Sequence, residues 1–565
     1  MTDTTTALPA PTGPPTAPAG DHAGEPNPQR WAALGVVLTA TFMVLLDISI
    51  VNVAIPSIQA NLGATFSEVQ FVIAGYALAY AVFLITGGRL GDVHGRKRLF
   101  MLGMAGFTLA SALCGAAQSP IMLVLSRVLQ GLMASLMYPQ VLSVIQVMFP
   151  PRERARAFGT FGATIGMATI AGPLLGGLII RDDVTGPAWR FVFLVNIPIG
   201  IGSLIAAARL LPESRAPRAA RLDIPGVAVV TVALLCLVYP LVEGRDLGWP
   251  VWAYVLIGIS PLVFLAFGLL ERRVEARGIA PLVALSLFRQ RAFTVGVLGS
   301  AAFFSGVPSF FFTLSLTLQL GLHYSALHAG LSTAPFAIAS AAGSATSVRL
   351  APRLGRRILF LGSGLLVTGV TLTAVVLHFR GTDLQGWELA VPFVLAGAGL
   401  GCFVAPLLTI VLAGVPGRDA GSASGVLTTV QQVGGALGVA IVGVIFFGLL
   451  GSRAAGNAAA VSPQLRTDLA AAHVPGQQAD GIVTTFGRCF EARARASDPS
   501  VAPPGCPTGS GPTTPVSAAV SRAAGQALGD DFIQSFIRSL GYIGGAFLAA
   551  GLLATRLPGG AAPRH

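Results

Sequence analysis

Lysine is almost missing: of 565 residues only Lys97 is one, and Arg96 precedes it. A phosphate-cradling G-x-x-x-x-G-K-[ST] loop therefore has no place here, which excludes an ATP-driven pump built on that loop within this chain. Charge is scarce as a whole, at 11% of residues where a soluble domain carries about 25%. Histidine (7) and cysteine (5) form no metal-spaced set, and neither H-E-x-x-H nor a nucleophile elbow occurs. No enzyme activity, metal or cofactor is expected.

What fills the chain is apolar, 53% of it, with a mean hydropathy of +0.73. Runs such as 36–46, 71–85 and 251–270 reach, with their flanks, the roughly 20 residues needed to cross about 30 Å of hydrocarbon as a helix. Spanning β-strands would alternate strictly over about 10 residues, and these runs do not. The expectation is an all-α polytopic membrane protein with about fourteen spans.

The net charge of +12 does not point to nucleic acid. The Arg residues crowd into alternate short loops (Arg96, Lys97 and Arg98; Arg152, Arg154 and Arg156; Arg353, Arg356 and Arg357), as the positive-inside rule requires. That places both termini in the cytoplasm of a cell-membrane protein. Residues 1–30, rich in Pro, Thr and Ala, are expected to be a disordered cytoplasmic tail. Residues 31–211 make an N-terminal six-helix bundle, 212–291 two intercalated helices with a cytoplasmic loop from 271, and 292–450 the first five helices of a second bundle. Residues 451–530 are expected to be a long, disordered extracellular loop, and 531–565 the last span with a cytoplasmic tail. Cys489 and Cys506 fall in that outer loop, either bridged or free.

An internal repeat organises the spans. Residues 89–100 align with 349–360 so that Arg, Leu, Gly, Arg, Leu and Phe coincide at an offset of 260. A second match, in nearly the same register, pairs 172–176 with 434–438. Two six-helix halves with two extra helices between them is an architecture of secondary transporters.

Several stretches resemble the major facilitator superfamily, and within it the fourteen-span drug:proton antiporters. Residues 88–97 (GRLGDVHGRK) look like the loop 2–3 signature, 125–131 (LSRVLQG) like the span-4 signature, and 46–56 (LDISIVNVAIP) like the span-1 motif of the fourteen-span group. Gly166, Gly172, Pro173, Gly176 and Gly177 resemble the span-5 motif associated with export, and Trp189, Arg190, Asn196 and Pro198 also fit. The resemblance implies the major facilitator fold of two six-helix bundles plus two extra central helices.

Asp47 lies mid-span, where a charged carboxylate costs roughly 2.5–3.5 kcal/mol on insertion scales. Holding a proton removes that cost, so Asp47 is the candidate proton carrier; the alternative is an acid paired purely for helix packing. Arg127 sits at a matching depth, about 10 Å from the outer end of its span against about 13 Å for Asp47. It either pairs with Asp47, directly or through a water, or snorkels to the outer headgroups. The resemblance implies a role for Arg127 in proton transfer. Gly88, Asp92, Gly95, Arg96 and Lys97 form a candidate conformational gate, Asp92 meeting the N-terminal dipole of a neighbouring span. Asn52, Gln319, Gln431 and Gln432 are candidate cavity-lining groups or interhelical donors.

With no ATP-binding loop, transport must draw on an ion gradient, and one proton moved through about 100 mV supplies roughly 2.3 kcal/mol. The expected function is proton-coupled efflux of small hydrophobic neutral or monocationic compounds, such as antibiotics or an endogenous secondary metabolite. A proton-coupled importer on the same fold, and a channel or sensor that carries nothing, stand as alternatives. The expected partners are a small-molecule substrate, protons and the bilayer, with the chain acting as a monomer.

Overall fold

A computed structural model describes residues 28–64, 66–181, 188–215, 223–244, 247–277, 281–495, 506 and 514–557. The tail expected over 1–30 lies almost wholly outside them. The first half comprises α1 (Arg30–Leu62), α2 (Phe66–His94), α3 (Arg96–Gly115), α4 (Pro120–Met148), α5 (Pro151–Arg181), and α6 (Trp189–Leu194) running into α7 (Asn196–Leu210). Pro198 lacks the N–H that would join α6 to α7 as one continuous helix. The two extra helices are α8 (Ile224–Glu243) and α9 (Val251–Ala276). The second half comprises α10 (Arg291–Leu316), α11 (Ala326–Leu354), α12 (Arg357–Arg380), α13 (Ala390–Leu412), α14 (Ala420–Ala471), α15 (Gly476–Arg495) and α16 (Pro515–Ala554). No strand occurs among the described residues.

Capping residues start these helices where the apolar runs begin. Ser119 accepts from Met122 N–H with Pro120 following, Asp223 accepts from Gly226 N–H, and Thr514 pairs with Ser517 ahead of α16. Among the described residues, twelve helical stretches are long and apolar enough to cross a membrane. α5 and α11 fall short of that test because Gly, Ala, Ser and Thr replace larger apolar residues. They are also the helices by which the two halves pack on each other, and small residues let helix backbones approach closely. With these two the spans among the described residues number about fourteen, in a multi-pass membrane protein. A second seam joins α2 to α14, and α8 lies against both. α9 packs on α8 and shows most of its surface to the surroundings.

Two expectations are corrected. Where a disordered loop is expected over 451–530, the described residues are largely helical: α14 continues unbroken to Ala471, α15 follows, and α16 begins at Pro515, while 496–505 and 507–513 lie outside the described residues. Ala458, Val461, Leu465 and Leu469 pack on Val483, Phe486, Ala519 and Ala523 in a small core of their own. The alanine-rich composition that suggests disorder is also that of a strong helix former, small enough for three helices to pack tightly. Cys489 and Cys506 are bonded, Cα–Cα 5.6 Å, tying α15 to the segment before α16. The loop expected from Glu271 is also shorter. α9 runs on to Ala276 and buries Glu271 completely, while Leu282 and Leu287 tuck the following segment against the protein.

Candidate functional site

The deepest polar cluster lies inside the first half, where α1, α2, α3, α4, α6 and α7 converge. Asp47 is fully buried and Arg127 is 1% exposed. Arg127 Nη1 donates directly to Asp47 Oδ2. Asp47 Oδ1 accepts from Gln130 Nε2 (2.9 Å) and Asn196 Nδ2 (3.3 Å). Arg127 also donates to Gln130 Oε1 (2.8 Å) and, through Nε, to the Val72 carbonyl (3.2 Å). Ser111 Oγ accepts from Gln130 and Asn196 and donates to the Phe193 carbonyl. The guanidinium lies over the Tyr76 ring, 4.1 Å from its centroid. A buried ion pair persists only when its remaining lone pairs and protons are satisfied, and this shell supplies that. A proton on Asp47 would remove the charge that holds Arg127, leaving the guanidinium to Gln130, Val72 and the Tyr76 face.

The aromatic path continues from this cluster. Tyr76 stacks on Tyr80 (5.9 Å), Tyr80 meets Tyr138 edge-on (5.9 Å), and Tyr138 faces Phe161 on α5 (6.3 Å). The hydroxyls of Tyr76 and Tyr80 are buried without hydrogen-bond partners. The ion pair is thus linked by packed rings to the helix that contacts the other half.

At the basic end, α2 and α14 cross so closely that a Cβ on Gly88 would strike the Gly421 carbonyl, and one on Gly421 the Gly88 carbonyl. The contact places Asp92 at the start of α14. Its Oδ1 accepts from Gly421 N–H (3.1 Å) and its Oδ2 from Ser422 N–H (3.0 Å), so the carboxylate caps a helix N-terminus from across the seam. Arg96 donates to Asp92 Oδ1 (2.6 Å) and to the Gly417 carbonyl (2.9 Å). Gly95 starts α3 at φ +109°, a conformation that favours glycine, and a side chain there would meet Glu213. Gln146 of α4 adds a bond to the Leu412 carbonyl (2.6 Å). These bonds clasp the two halves. Lys97 instead caps the end of α7 through the Ala208 carbonyl (2.7 Å).

Along α5, Gly166 lies against Ser340 and Ala337 of α11, and Gly177 against Leu327, while Gly172 admits Ser49 of α1. Gly176 is buried in the same helix. The side chains of Asn52 and Pro173 lie outside the described residues. Gln319 donates to Ser315 on its own turn of helix (2.7 Å) and, like Gln431 and Gln432 on α14, takes no part in the Asp47 network. Gln130, Asn196, Ser111 and Tyr76 belong to the site and were not singled out for it. Gln130 and Asn196 sit inside motifs the sequence displays, but only the fold shows that their amides face Asp47.

The Major Facilitator Superfamily model matches residues 37–439. The probable actinorhodin transporter of Streptomyces coelicolor is 40% identical over 543 residues, covering 96% of this chain and 94% of that one. The puromycin resistance protein pur8 of Streptomyces alboniger is 36% identical over 75% of this chain and 83% of its own. The tetracenomycin C resistance and export protein of Streptomyces glaucescens is 34% identical over 77% and 78%. Among solved structures, the human organic anion transporter MFSD10 aligns with a TM-score of 0.53 at 16% identity, covering 74% of this chain and 94% of its own, a likeness of fold alone.

Proposed function

The chain belongs to the Major Facilitator Superfamily, and on that premise we propose that it is a proton-coupled exporter of small apolar compounds, neutral or singly cationic, antibiotics or a secondary metabolite of its own cell. As a superfamily member it is a transporter of small molecules and not an enzyme. The direction of transport rests on relatives whose names speak of export and resistance. The coupling rests on one observation, the fully buried Asp47–Arg127 pair inside its amide shell.

In this reading the basic end and both termini face the cytoplasm of the cell membrane. With the Asp92 clasp closed, the route to the cytoplasm is shut. A proton taken up by Asp47 frees Arg127, the Tyr76–Tyr80–Tyr138 ladder shifts against α5, and the seams rock towards the inward-facing state. Release of the proton inside restores the ion pair and favours return with substrate bound. Gly88, Gly95 and Lys97 shape the gate around Asp92 and Arg96, and the α5 glycines keep the seam tight. Glu271, in the last turns of α9, and Asp531, well inside α16, are buried too and take no part in the Asp47 network. Among the described residues of this network Asp47 is the only acid, and Arg127 neutralises it, which leaves no second carboxylate there for a dication.

The test is uptake of a fluorescent cationic dye or an antibiotic into everted vesicles. Wild type should accumulate substrate until an uncoupler is added. Asp47→Asn should insert normally and lose accumulation; full activity in that variant would sink the coupling role.

A further inference from the structure

The hydrogen bonds of the clasp do not stop at α14. Ser422, whose backbone N–H serves Asp92, turns its hydroxyl to the Leu282 carbonyl (3.0 Å). The next residue, Val283, donates its N–H to Glu271 Oε2 (3.2 Å). Glu271 belongs to α9 and is fully buried; Asp223, the N-cap of α8, is 8% exposed. Glu271 Oε1 and Asp223 Oδ2 are both buried without a hydrogen-bond partner. They aim at one spot: a Cβ built on Gly226 would lie 2.5 Å from each, so the two oxygens are at most twice that distance apart. Each carboxyl is fixed through its other oxygen, Asp223 by Gly226 N–H (3.1 Å) and Glu271 by Val283 N–H. Glycine at 226 leaves open the space between them.

Among the described residues no cation balances this pair. Among the described residues neither acid makes an ion pair, and the groups that bear on Glu271 are Asp223 and the backbone N–H groups of Leu282 and Val283. Arg272 and Arg273 on α9 are exposed, as is Arg289 on the connecting segment. On α2, Arg96 of the adjoining α3 already holds Asp92, and Arg89 is buried with no ion pair to either acid. On the α14 side, Asp419 stands at the N-cap position of the helix. Two carboxylates at this range, out of water and with no cation beside them among the described residues, do not both stay charged.

We propose that Asp223 and Glu271 bind one proton between them, a proton site separate from Asp47, and that this proton holds the α8–α9 hairpin to the clasp. The proton comes from water at the basic end, where Asp223 keeps its small exposed edge, and returns there. With it in place the carboxyl of one acid donates to the carboxylate of the other, and Glu271 stays under Val283. Without it the like charges separate, the 282–283 backbone loses its anchor, and Ser422 loses the carbonyl that orients it towards Asp92. Internal pH on the basic side would then set how firmly the gate closes.

The test uses the full-length Asp47→Asn protein in lipid, so that its outcome does not depend on the transport reading. Infrared difference spectra between acidic and alkaline buffer should show loss of a protonated-carboxyl C=O band. Glu271→Gln and Asp223→Asn should each remove that change, because an amide supplies the hydrogen bond and does not titrate. Hydrogen exchange over 281–289 and 420–424, corrected for its intrinsic pH dependence, should rise about tenfold per pH unit above the pair's titration and stay flat in Glu271→Gln. A band unaffected by either variant, or protection independent of pH in the parent, overturns the proposal. Restoration of protection at alkaline pH by added sodium or calcium would also overturn it, as a cation site. Should Glu271→Gln not accumulate, Asp223→Asn carries the same test, since its Oδ1 still caps α8.

Discussion

The two halves share a scaffold and differ in what occupies its centre. In the first, Asp47, Arg127, Gln130 and Asn196 form a buried charged network. In the second, phenyl rings take that space: Phe303 stacks on Phe403 with centroids 4.4 Å apart and touches Phe547, while Phe310 packs against Phe336, Phe393 and Phe536. A hydrocarbon core has one protonation state and a charged one has two, so the centre of the first half can change its packing when a proton arrives and the phenyl-lined centre of the second cannot. The repeated basic loops tell a similar story. Lys97 caps the carboxyl end of α7 through Ala208, and Arg356 caps that of α16 through Thr555 (3.0 Å) and Leu557 (2.8 Å). Capping of the half's last helix is the shared task, satisfying carbonyls that the helix end leaves open. The clasp is made by the first copy alone, since Pro352 stands where the repeat would call for an acid like Asp92.

The largest expected effect breaks the charged centre. Arg127→Ala strands Asp47 in the interior, and removing one partner of a buried pair costs about 3–5 kcal/mol. Its thermal unfolding in detergent should shift down accordingly, with transport lost. Adding Asp47→Asn to that variant removes the stranded charge and should recover most of the stability and none of the transport. Recovery of both would make the pair a packing device like the phenyl core opposite, and would end the distinction between the halves.

A middle-sized effect is expected at the clasp. Asp92→Asn keeps the shape but loses charge-assisted bonds to Arg96 and the α14 N-terminus, weakening the closed gate by about 1.5–3 kcal/mol. Accessibility of a cysteine introduced at Ser143, which donates to the Ala420 carbonyl across the seam (3.4 Å), should rise from the basic side. Unchanged accessibility would mean that the glycine contact between α2 and α14 holds the gate by itself.

Much of this is legible in the sequence alone. Depth along two apolar runs puts Asp47 and Arg127 at a matching level, because a helix rises by a fixed amount per residue, and leaves open whether Arg127 pairs or snorkels. The offset of 260 identified corresponding helices, because duplicated loops keep their glycines and basic residues. What stayed hidden depends on helices that outlast the membrane. Glu271 reads as loop because Arg272 and Arg273 follow it at once, yet the helix turns those two outward and Glu271 inward. The alanine-rich stretch after residue 450 lacks the large apolar residues that mark a core, so its packing emerges only when three helices meet. α5 and α11 read as weak spans for the reason that makes them the seam: side chains small enough for close approach.

The smallest expected effect asks whether the missing acid alone separates the two basic loops. Pro352→Asp would stand four residues before Arg356, as Asp92 does before Arg96, and an exposed ion pair of this kind is worth about 0.2–1 kcal/mol. Asp92 does more than that because α14 begins at Ala420, so that Gly421 and Ser422 offer N–H groups no helical carbonyl has claimed. In the repeat register the counterpart of Gly421 is Gly159, and α5 begins earlier, at Pro151. By Gly159 the backbone N–H groups are already committed within the helix. Measured against Pro352→Ala, the Pro352→Asp variant should therefore transport at the same rate, with gate accessibility unchanged. A transporter locked shut at the basic end would instead mean that charge suffices, and that the start of the facing helix does not decide where a clasp can form.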